Sequence, residues 1–281
     1  MGGKVFIATD MEGIALVRRW CDVDIRDSSH AKFARVQSLE LLSIIDGLGP
    51  ADFSIRDAHD TGANLLPELF PDNVKLLLKW RGISEFGMLS SLDKSFDFCV
   101  LHGFHAAAGT ELSTLAHTFH VGRVKEIRLN GRVVGETTFA LYTSAYIGVP
   151  VVMVSGDSGA VGEATYINPN IVTVVAKTCR DGKVWDMLTE RKVRNLLELS
   201  SARAAERFKA APHDFKITLP MEFALSITYT QPRRASVVSR RLQKFPRVTQ
   251  VSEDSVEYKS KDFPELLRML NYLVFMGKLP V

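Results

Sequence analysis

Short β-rich apolar runs alternate with stretches of helical periodicity over the first half of this chain. Residues 4–9, 53–56 and 96–101 are runs of this kind, and each is followed directly by an acidic residue or a histidine. Between the first two runs, apolar residues recur at helical spacing over 28–48, and a Gly-Pro pair then stops the helix. Strands that alternate with helices predict an α/β fold, with a mainly parallel sheet and flanking helices in the N-terminal part.

The rest of the chain is less regular. The Asn130-Gly131 pair is a strong hairpin signal, and Glu265 three residues after Asp262 indicates a capped final helix that ends at Gly277. After about residue 165 the regular alternation stops, so we predict two domains: 1–165 with the parallel sheet, and 166–281 as a smaller α+β domain. The further predicted strands cover 74–78, 124–129, 132–134, 149–154, 216–219, 223–229 and 255–259, and the further helices 137–147 and about 193–208.

Composition excludes several classes of protein. The chain has 281 residues, of which 46% are hydrophobic and 24% charged, as in an ordinary globular protein with a sizeable core. The longest apolar runs are near 150–154, far short of the roughly 18 residues of a membrane span. The N-terminus meets Asp10 too early to hold a signal-peptide core. Three cysteines without a CxxC pair argue against a disulfide scaffold or a cysteine zinc site, so we expect a cytoplasmic protein with no membrane partner.

One short segment carries most of the excess positive charge. The net charge is +3, and residues 233–247, called the basic segment below, contain no acidic residue. Basic clusters can bind the phosphates of nucleic acids, but stacking of bases needs aromatic residues, and Phe245 stands alone in the segment. We therefore predict a solvated or subunit-facing surface and no nucleic-acid partner. The cations of the segment are Arg233, Arg234, Arg240, Arg241, Lys244 and Arg247.

Metal-ligating side chains follow three of the predicted strands. Asp10 and Glu12 come after the first strand, His59 after the second, and His102 and His105 after the run 96–101. Because the carboxyl ends of parallel strands lie along one edge of a sheet, these side chains are expected to converge there. Carboxylates with imidazoles suit zinc, with manganese as the alternative, and one bridging carboxylate can serve two ions.

Taken singly, each of these residues also has an ordinary structural explanation. An acid at a strand end commonly caps a turn or helix, and a histidine near apolar sequence is commonly a hydrogen-bonded packing residue. Asp57 and Asp157 fit either support of a site or simple capping. We expect His30 and His213 at the surface and His120 in a strand or loop.

The segment from Ala8 to Ile14, Ala-Thr-Asp-Met-Glu-Gly-Ile, resembles the opening motif of the bacterial zinc D-aminopeptidases, the DppA-like peptidases. Further matching segments keep the order and approximate spacing of that family across roughly residues 4–160, and the match thins beyond Asp157. Each segment is a weak signal alone, but six in register are specific. The further segments are 56–60, 101–106, 115–118, 130–136 and 148–157.

The resemblance implies a two-zinc site in which Asp10 bridges both ions. His117 matches the catalytic histidine of the family, and chemically an imidazole beside activated water could carry a proton to the leaving amine. His102 matches no ligand of the family and is expected to support the site or to pack. The ligands implied by the resemblance are Asp10, Glu12, His59, His105 and Glu136.

The predicted activity is therefore that of a metal-dependent aminopeptidase. By resemblance it would use zinc-activated water, release the N-terminal residue of short peptides or aminoacyl amides, with D-residues as candidates, and form a ring-like homo-oligomer, a decamer, through its second domain. One alternative is a phosphoesterase of the haloacid-dehalogenase type, although that class needs a second Asp where Glu12 stands. The other is a non-catalytic peptide-binding protein, which the filled ligand positions disfavour.

Overall fold

The structure is a computed structural model that describes residues 3–79, 86–242 and 247–275. Its strands are β1 (Gly3–Thr9), β2 (Ala51–Asp57), β3 (Val74–Leu77), β4 (Phe98–Phe104), β5 (Val124–Leu129), β6 (Arg132–Val133), β7 (Val151–Asp157), β8 (Val172–Arg180), β9 (Lys183–Met187), β10 (Phe223–Tyr229), β11 (Val248–Gln250) and β12 (Ser255–Ser260). Its α-helices are α1 (Trp20–Val23), α2 (His30–Leu48), α3 (Glu136–Ile147), α4 (Ser158–Ile167), α5 (Glu190–Ala210), α6 (Arg234–Arg241) and α7 (Phe263–Phe275).

Seven strands form the first sheet, called sheet A, in the order β3-β2-β1-β4-β7-β8-β9. All neighbours pair in parallel except β9, which returns antiparallel along β8. The carboxyl ends of β1, β2, β4 and β7 therefore meet at one edge, as the alternating sequence predicts. The mixed α/β class and the mainly parallel sheet are confirmed.

Helices cover both faces of sheet A, and successive side chains of a strand point to opposite faces. Alternate residues of one strand therefore pack into two different cores. In β1, Val5 and Ile7 pack into a core with α2 and α5, whereas Phe6 and Ala8 pack into a second core with α3 and α4. This double burial explains why the strands appear in the sequence as continuous apolar runs rather than as alternating ones.

The second sheet, called sheet B, is antiparallel, with the strand order β11-β12-β10-β5-β6. Its tight turn is formed by Asn130 and Gly131, whose φ angles of 51° and 82° suit a residue pair of this kind. Helices α6 and α7 cover sheet B and bury a third apolar core against it. The predicted hairpin is therefore present, but its remaining partner strands come from the C-terminal part of the chain.

The predicted domain boundary at residue 165 does not separate the strands of sheet A from those of sheet B. Strands β8 and β9 follow that residue yet complete sheet A, and β5 and β6 precede it yet belong to sheet B. The predicted division into domains stays a prediction, although both sheets cross it. Residues 216–219, predicted as β-like, lie in neither sheet, and the predicted helix end at Gly277 falls outside the described residues. Within the described part, no helix has the length and apolar character needed to cross a membrane.

Candidate metal centre

Six ionisable side chains, three carboxylates and three imidazoles, meet at the carboxyl edge of sheet A. Asp10 and Glu12 follow β1, His59 follows β2, and His105 follows β4. The other two lie on segments that run between sheet A and sheet B. His117 is in the segment before β5, and Glu136 is the first residue of α3. All six are buried except His117, which is partly exposed.

Two glycines allow the loops that carry the site to touch. A Cβ on Gly13 would lie 1.9 Å from the carbonyl oxygen of Phe104, and a Cβ on Gly103 would lie 2.1 Å from that of Asp10. Gly103 also has a φ of +73°, a conformation that glycine adopts without strain. The close approach brings the loop after β1 against the end of β4, which places Asp10 beside His105.

Asp10 lies between two histidines, and each of its carboxylate oxygens faces a different one. Its Oδ1 is 3.3 Å from His59 Nδ1, and its Oδ2 is 3.5 Å from His105 Nε2. Glu12 approaches the first of these rings from another side, with Oε2 at 3.0 Å from His59 Nδ1. Asp10 is therefore shared by the surroundings of both histidines.

Glu136 completes the second half of the cluster. Its Oε1 lies 3.6 Å from Nε2 of both His105 and His117, and it accepts a hydrogen bond of 2.7 Å from the backbone N–H of Phe119. A carboxylate at the first turn of α3 is also stabilised by the partial positive charge of the helix N-terminus. The position of Glu136 is therefore fixed by the fold as well as by its neighbours.

Each histidine of the cluster has one ring nitrogen bonded to the backbone. The acceptors are the carbonyl oxygens of Val23 for His59 Nε2 at 3.0 Å, of Ala106 for His105 Nδ1 at 3.0 Å, and of Leu115 for His117 Nδ1 at 2.9 Å. A carbonyl accepts only, so in a neutral ring the opposite nitrogen carries a lone pair and faces the carboxylates. Histidines that bind metals are oriented in this way.

Burial and crowding shift the ionisation of these groups. Burial, together with the charge of Glu12, raises the pKa of Asp10 to about 7. Burial opposes the charged form of His59, yet Glu12 and Asp10 outweigh it and raise the pKa of that imidazole well above its ordinary value. Protons therefore balance the carboxylates when no cation is bound, and a metal ion would replace them.

The cluster divides into two candidate ligand groups that share Asp10, and the ligand atoms within each lie no more than 4.8 Å apart. Two buried atoms, Glu12 Oε2 and His105 Nε2, form no hydrogen bond among the described residues, although each has an ionisable neighbour, His59 Nδ1 at 3.0 Å and Asp10 Oδ2 at 3.5 Å. Buried polar atoms without a hydrogen bond are costly, and a cation would remove that penalty. The oxygen and nitrogen donors fit zinc. The groups are Asp10, Glu12, His59 and Asp10, His105, Glu136.

A third group with the same spacing joins Glu12, His105 and His117. The ring of His117 stacks on that of His105 with 4.1 Å between centroids, and it forms a T-shaped pair with the ring of Trp20 with 5.3 Å between centroids. Geometry alone therefore leaves His117 within reach of the same cation as His105.

His102 points away from the cluster. Its Nδ1 is 2.8 Å from Thr9 Oγ1 and its Nε2 is 2.9 Å from Glu40 Oε2, both in the interior beneath the site. Gln37 donates to the Thr9 hydroxyl and to the Asp10 carbonyl. This network supports the loop after β1, in agreement with the supporting or packing role expected for His102.

Sequence reasoning missed Gln37 and Glu40. They occupy core-facing positions of α2, four and seven residues after the buried Phe33, so a polar residue at an apolar helical position was the available signal. His30 was expected at the surface, and this expectation is wrong. Its Nε2 is 2.9 Å from Asn64 Oδ1, and the side chain is buried in the first turn of α2.

Asp57 and Asp157 combine the two functions that the sequence left open. Asp57 accepts hydrogen bonds from the backbone and side chain of Asn64 and from the His59 N–H, so it supports the loop that carries His59. Asp157 caps α4 through its Oδ1, and its Oδ2 accepts from the Ala106 N–H at 3.0 Å, next to His105. Exposed His213 lies at the surface, as expected.

Comparison with known proteins gives a consistent result. The family model Peptidase_M55, described as D-aminopeptidase, matches residues 3–272. The D-aminopeptidase of Bacillus subtilis (strain 168) is 28% identical over 230 residues, covering 80% of this chain and 81% of that protein. Among solved structures, "Zn-dependent D-aminopeptidase DppA from Bacillus subtilis, a self-compartmentalizing protease" has a TM-score of 0.82 at 24% identity, covering 99% of this chain and 100% of that chain, which supports the fold.

Proposed function

Because this chain belongs to the Peptidase_M55 family of D-aminopeptidases, we propose that it is a zinc-dependent enzyme that releases an N-terminal D-residue from short peptides or aminoacyl amides. The observation that carries the proposal is the pair of ligand groups that share Asp10, each with a buried atom that forms no hydrogen bond among the described residues, Glu12 Oε2 or His105 Nε2. We propose one zinc ion in each group.

Zinc bound there would polarise the scissile carbonyl and lower the pKa of water. Peptide hydrolysis adds water to the carbonyl carbon, breaks the C–N bond and delivers one proton to the leaving amine. We assign the proton transfer to His117, whose Nε2 faces Glu12 and Glu136 at 3.9 and 3.6 Å. Its side chain is 13% exposed whereas that of His105 is 0%, so His117 is the imidazole that substrate can reach.

The alternatives are not favoured. A phosphoesterase of the haloacid-dehalogenase type requires an Asp two residues after its nucleophile, but Glu12 occupies that position and lies against His59. A non-catalytic peptide-binding protein would not require the three histidines to turn a ring nitrogen toward carboxylates. The family match points in the same direction, since it names a peptidase.

The test is an assay of purified protein on D- and L-aminoacyl p-nitroanilides, together with metal analysis. We expect zinc in the protein and faster release from D-alanyl than from L-alanyl p-nitroanilide. We also expect loss of activity with 1,10-phenanthroline and its return with zinc, because the ligand groups hold the catalytic cation. p-Nitrophenyl phosphate tests the phosphoesterase alternative. Protein that retains zinc but hydrolyses none of the aminoacyl substrates would contradict the proposal.

We further propose a homo-oligomer, ring-like and decameric by resemblance, in which the basic segment is a surface or subunit contact. Large apolar side chains are exposed on the single chain, including Trp185 and Leu199 at 69% and Met221 at 93%, as expected where subunits meet. In the basic segment, Arg247 pairs with Glu265 at 2.5 Å, whereas Arg240 is exposed and Lys244 lies outside the described residues.

Light scattering and oligonucleotide binding test this assembly proposal. We expect a mass that is a multiple of 31.3 kDa and is constant over a wide range of protein concentration. We expect no salt-dependent binding to a random oligonucleotide, because the basic segment lacks aromatic residues for stacking. A mass of one subunit at all concentrations would overturn the assembly, and tight oligonucleotide binding would overturn the role given to the basic segment.

A further inference from the structure

Lys177 is a buried cation that the proposed reaction does not use. It lies near the carboxyl end of β8, and 1% of the residue is exposed. Its Nζ donates hydrogen bonds to the backbone carbonyl oxygens of Glu12, of Ile14 at 3.4 Å and of Val17 at 2.6 Å. All three acceptors belong to the loop after β1, which carries the Glu12 carboxylate.

The match between donors and acceptors is complete. An ammonium group has three N–H donors and no acceptor, and three carbonyls of one short loop receive them. Lysine is almost never fully buried without such partners, since removing the charge from water is costly. Burial lowers the pKa of Lys177, and Asp157 opposes that change. A buried lysine whose hydrogen bonds in the described chain all go to one loop constrains that loop.

The loop has other contacts, several of them made by its amide groups. The Gly13 N–H donates to the carbonyl of Gly103 at 2.8 Å, and the Ala15 N–H donates to Glu40 Oε1 at 2.9 Å. Lys177 binds three further carbonyl groups of the loop, including that of Glu12 itself. The two sets of contacts act on the same two peptide units, Glu12–Gly13 and Ile14–Ala15, so together they fix the backbone that directly follows Glu12 and thereby constrain the direction of its side chain.

We propose that Lys177 is a positioning residue that holds the Glu12 carboxylate against His59, and so sets the zinc affinity of the group formed by Asp10, Glu12 and His59. The inference rests on the proposed function, because it assumes that this group binds zinc. Lys177 touches neither substrate nor the reacting atoms. Groups that orient metal ligands through hydrogen bonds to the ligand side chain typically contribute 10- to 100-fold to metal affinity, and Lys177 acts through the backbone of the ligand.

Glu163 offers a matched comparison on the other side of the site. Its Oε2 accepts hydrogen bonds from the N–H of Gly135 at 2.9 Å and from the Thr138 hydroxyl at 2.6 Å, so it holds the N-terminus of α3. That helix carries Glu136, which belongs to the other ligand group. Perturbing Glu163 is therefore expected to affect the Glu136 group, whereas perturbing Lys177 affects the Glu12 group.

The experiment is a zinc titration, by calorimetry, of chelator-treated wild type and of the Lys177→Met, Glu163→Gln and Lys183→Met variants. Lys183 is an exposed lysine on β9 and serves as the surface control. We expect Lys177→Met to weaken one zinc-binding event at least tenfold and to leave the other within twofold. Cobalt substitution adds a spectroscopic readout, because its visible bands report the ligand geometry that Glu12 contributes.

Each outcome decides one question. Wild type that binds no zinc refutes the proposed function, whereas zinc affinities in Lys177→Met equal to those of wild type refute only the role of Lys177. Equal weakening of both binding events also refutes it, because that result indicates general distortion. If Lys177→Met does not fold by near-UV circular dichroism, Lys177→Gln, which keeps one amide donor group, is tested. If neither variant folds, Lys177 stabilises the whole fold and the proposal is wrong.

Discussion

Replacing His117 by alanine is expected to lower kcat by about 10²- to 10⁴-fold while the zinc content stays at the wild-type level. The reason is that His117 Nε2 lies 3.6 Å from Glu136 and 3.9 Å from Glu12 and is the partly exposed imidazole of the site. Its loss would remove the proton carrier but neither group of ligands that shares Asp10. Turnover of D-alanyl p-nitroanilide and metal analysis of the same sample measure the two effects.

His213→Ala is the control, because His213 is exposed and its removal should change neither quantity. The result also decides between the two positions that geometry allows for His117. If zinc is lost in proportion to activity, His117 binds metal together with Glu12 and His105, as the third ligand group permits, and the assignment to proton transfer is wrong.

The second large effect is expected from Asp10→Asn. Because Asp10 belongs to both ligand groups, this variant should lose at least about 100-fold in zinc affinity and fall to background activity. Wild-type protein should gain about 2.7 kcal/mol for each zinc ion that is present at 100 times its Kd, which appears as a rise in Tm. Asp10→Asn should show no such rise.

The metal-free form should respond in the opposite sense. Burial, together with Glu12, raises the pKa of Asp10 in the folded, metal-free protein to about 7. The free energy of unfolding therefore falls as the pH rises from the ordinary pKa of 3.8 to about 7, because the unfolded chain loses this proton first. Asparagine removes that penalty, and metal-free Asp10→Asn should melt no lower than metal-free wild type at pH 8. Asp52→Asn, an exposed change on β2, is the control. A variant that still gains thermal stability with zinc would contradict the shared role of Asp10.

The sequence was sufficient where a local pattern determines the structure. Apolar runs that end at Asp10, Asp57 and His102 indicated three neighbouring strands, and the Asn130-Gly131 pair indicated the turn of the hairpin. Such patterns are local because a strand buried on both faces needs a continuous apolar run and a tight hairpin needs residues that accept positive φ.

Other features depend on contacts that no local pattern contains. Strand β8 begins as a β-rich run but its side chains alternate between buried and partly buried, and the run continues into the buried Lys177 and the polar Thr178; it was not predicted. Glu163 and Lys177 would ordinarily be assigned to a solvated surface, since charged side chains are rarely buried. Their partners lie in distant segments, and only the folded chain brings these together.

The candidate site itself was predicted at two levels. The rule that parallel strands end at one edge predicted that Asp10, Glu12, His59, His102 and His105 converge, and the structure brings them together except for His102, which binds Thr9 and Glu40 beneath the site. Glu136 came from the family resemblance alone, because it begins a helix that follows sheet B rather than a strand of sheet A. Their roles as zinc ligands stay a prediction until metal is measured.

The path of the chain through its two sheets also sets an order of events during synthesis on the ribosome. His117 and Glu136 lie on either side of the β5–β6 hairpin, and β5 gains its second neighbour, β10, about 90 residues later. At roughly 5–20 residues per second, translation leaves the hairpin without that neighbour for roughly 5–20 s. A chain that stops before β10 is therefore expected to hold Asp10, Glu12 and His59 at the edge of sheet A, while the β5–β6 hairpin, which follows the segment that carries His117, still lacks its partner strand.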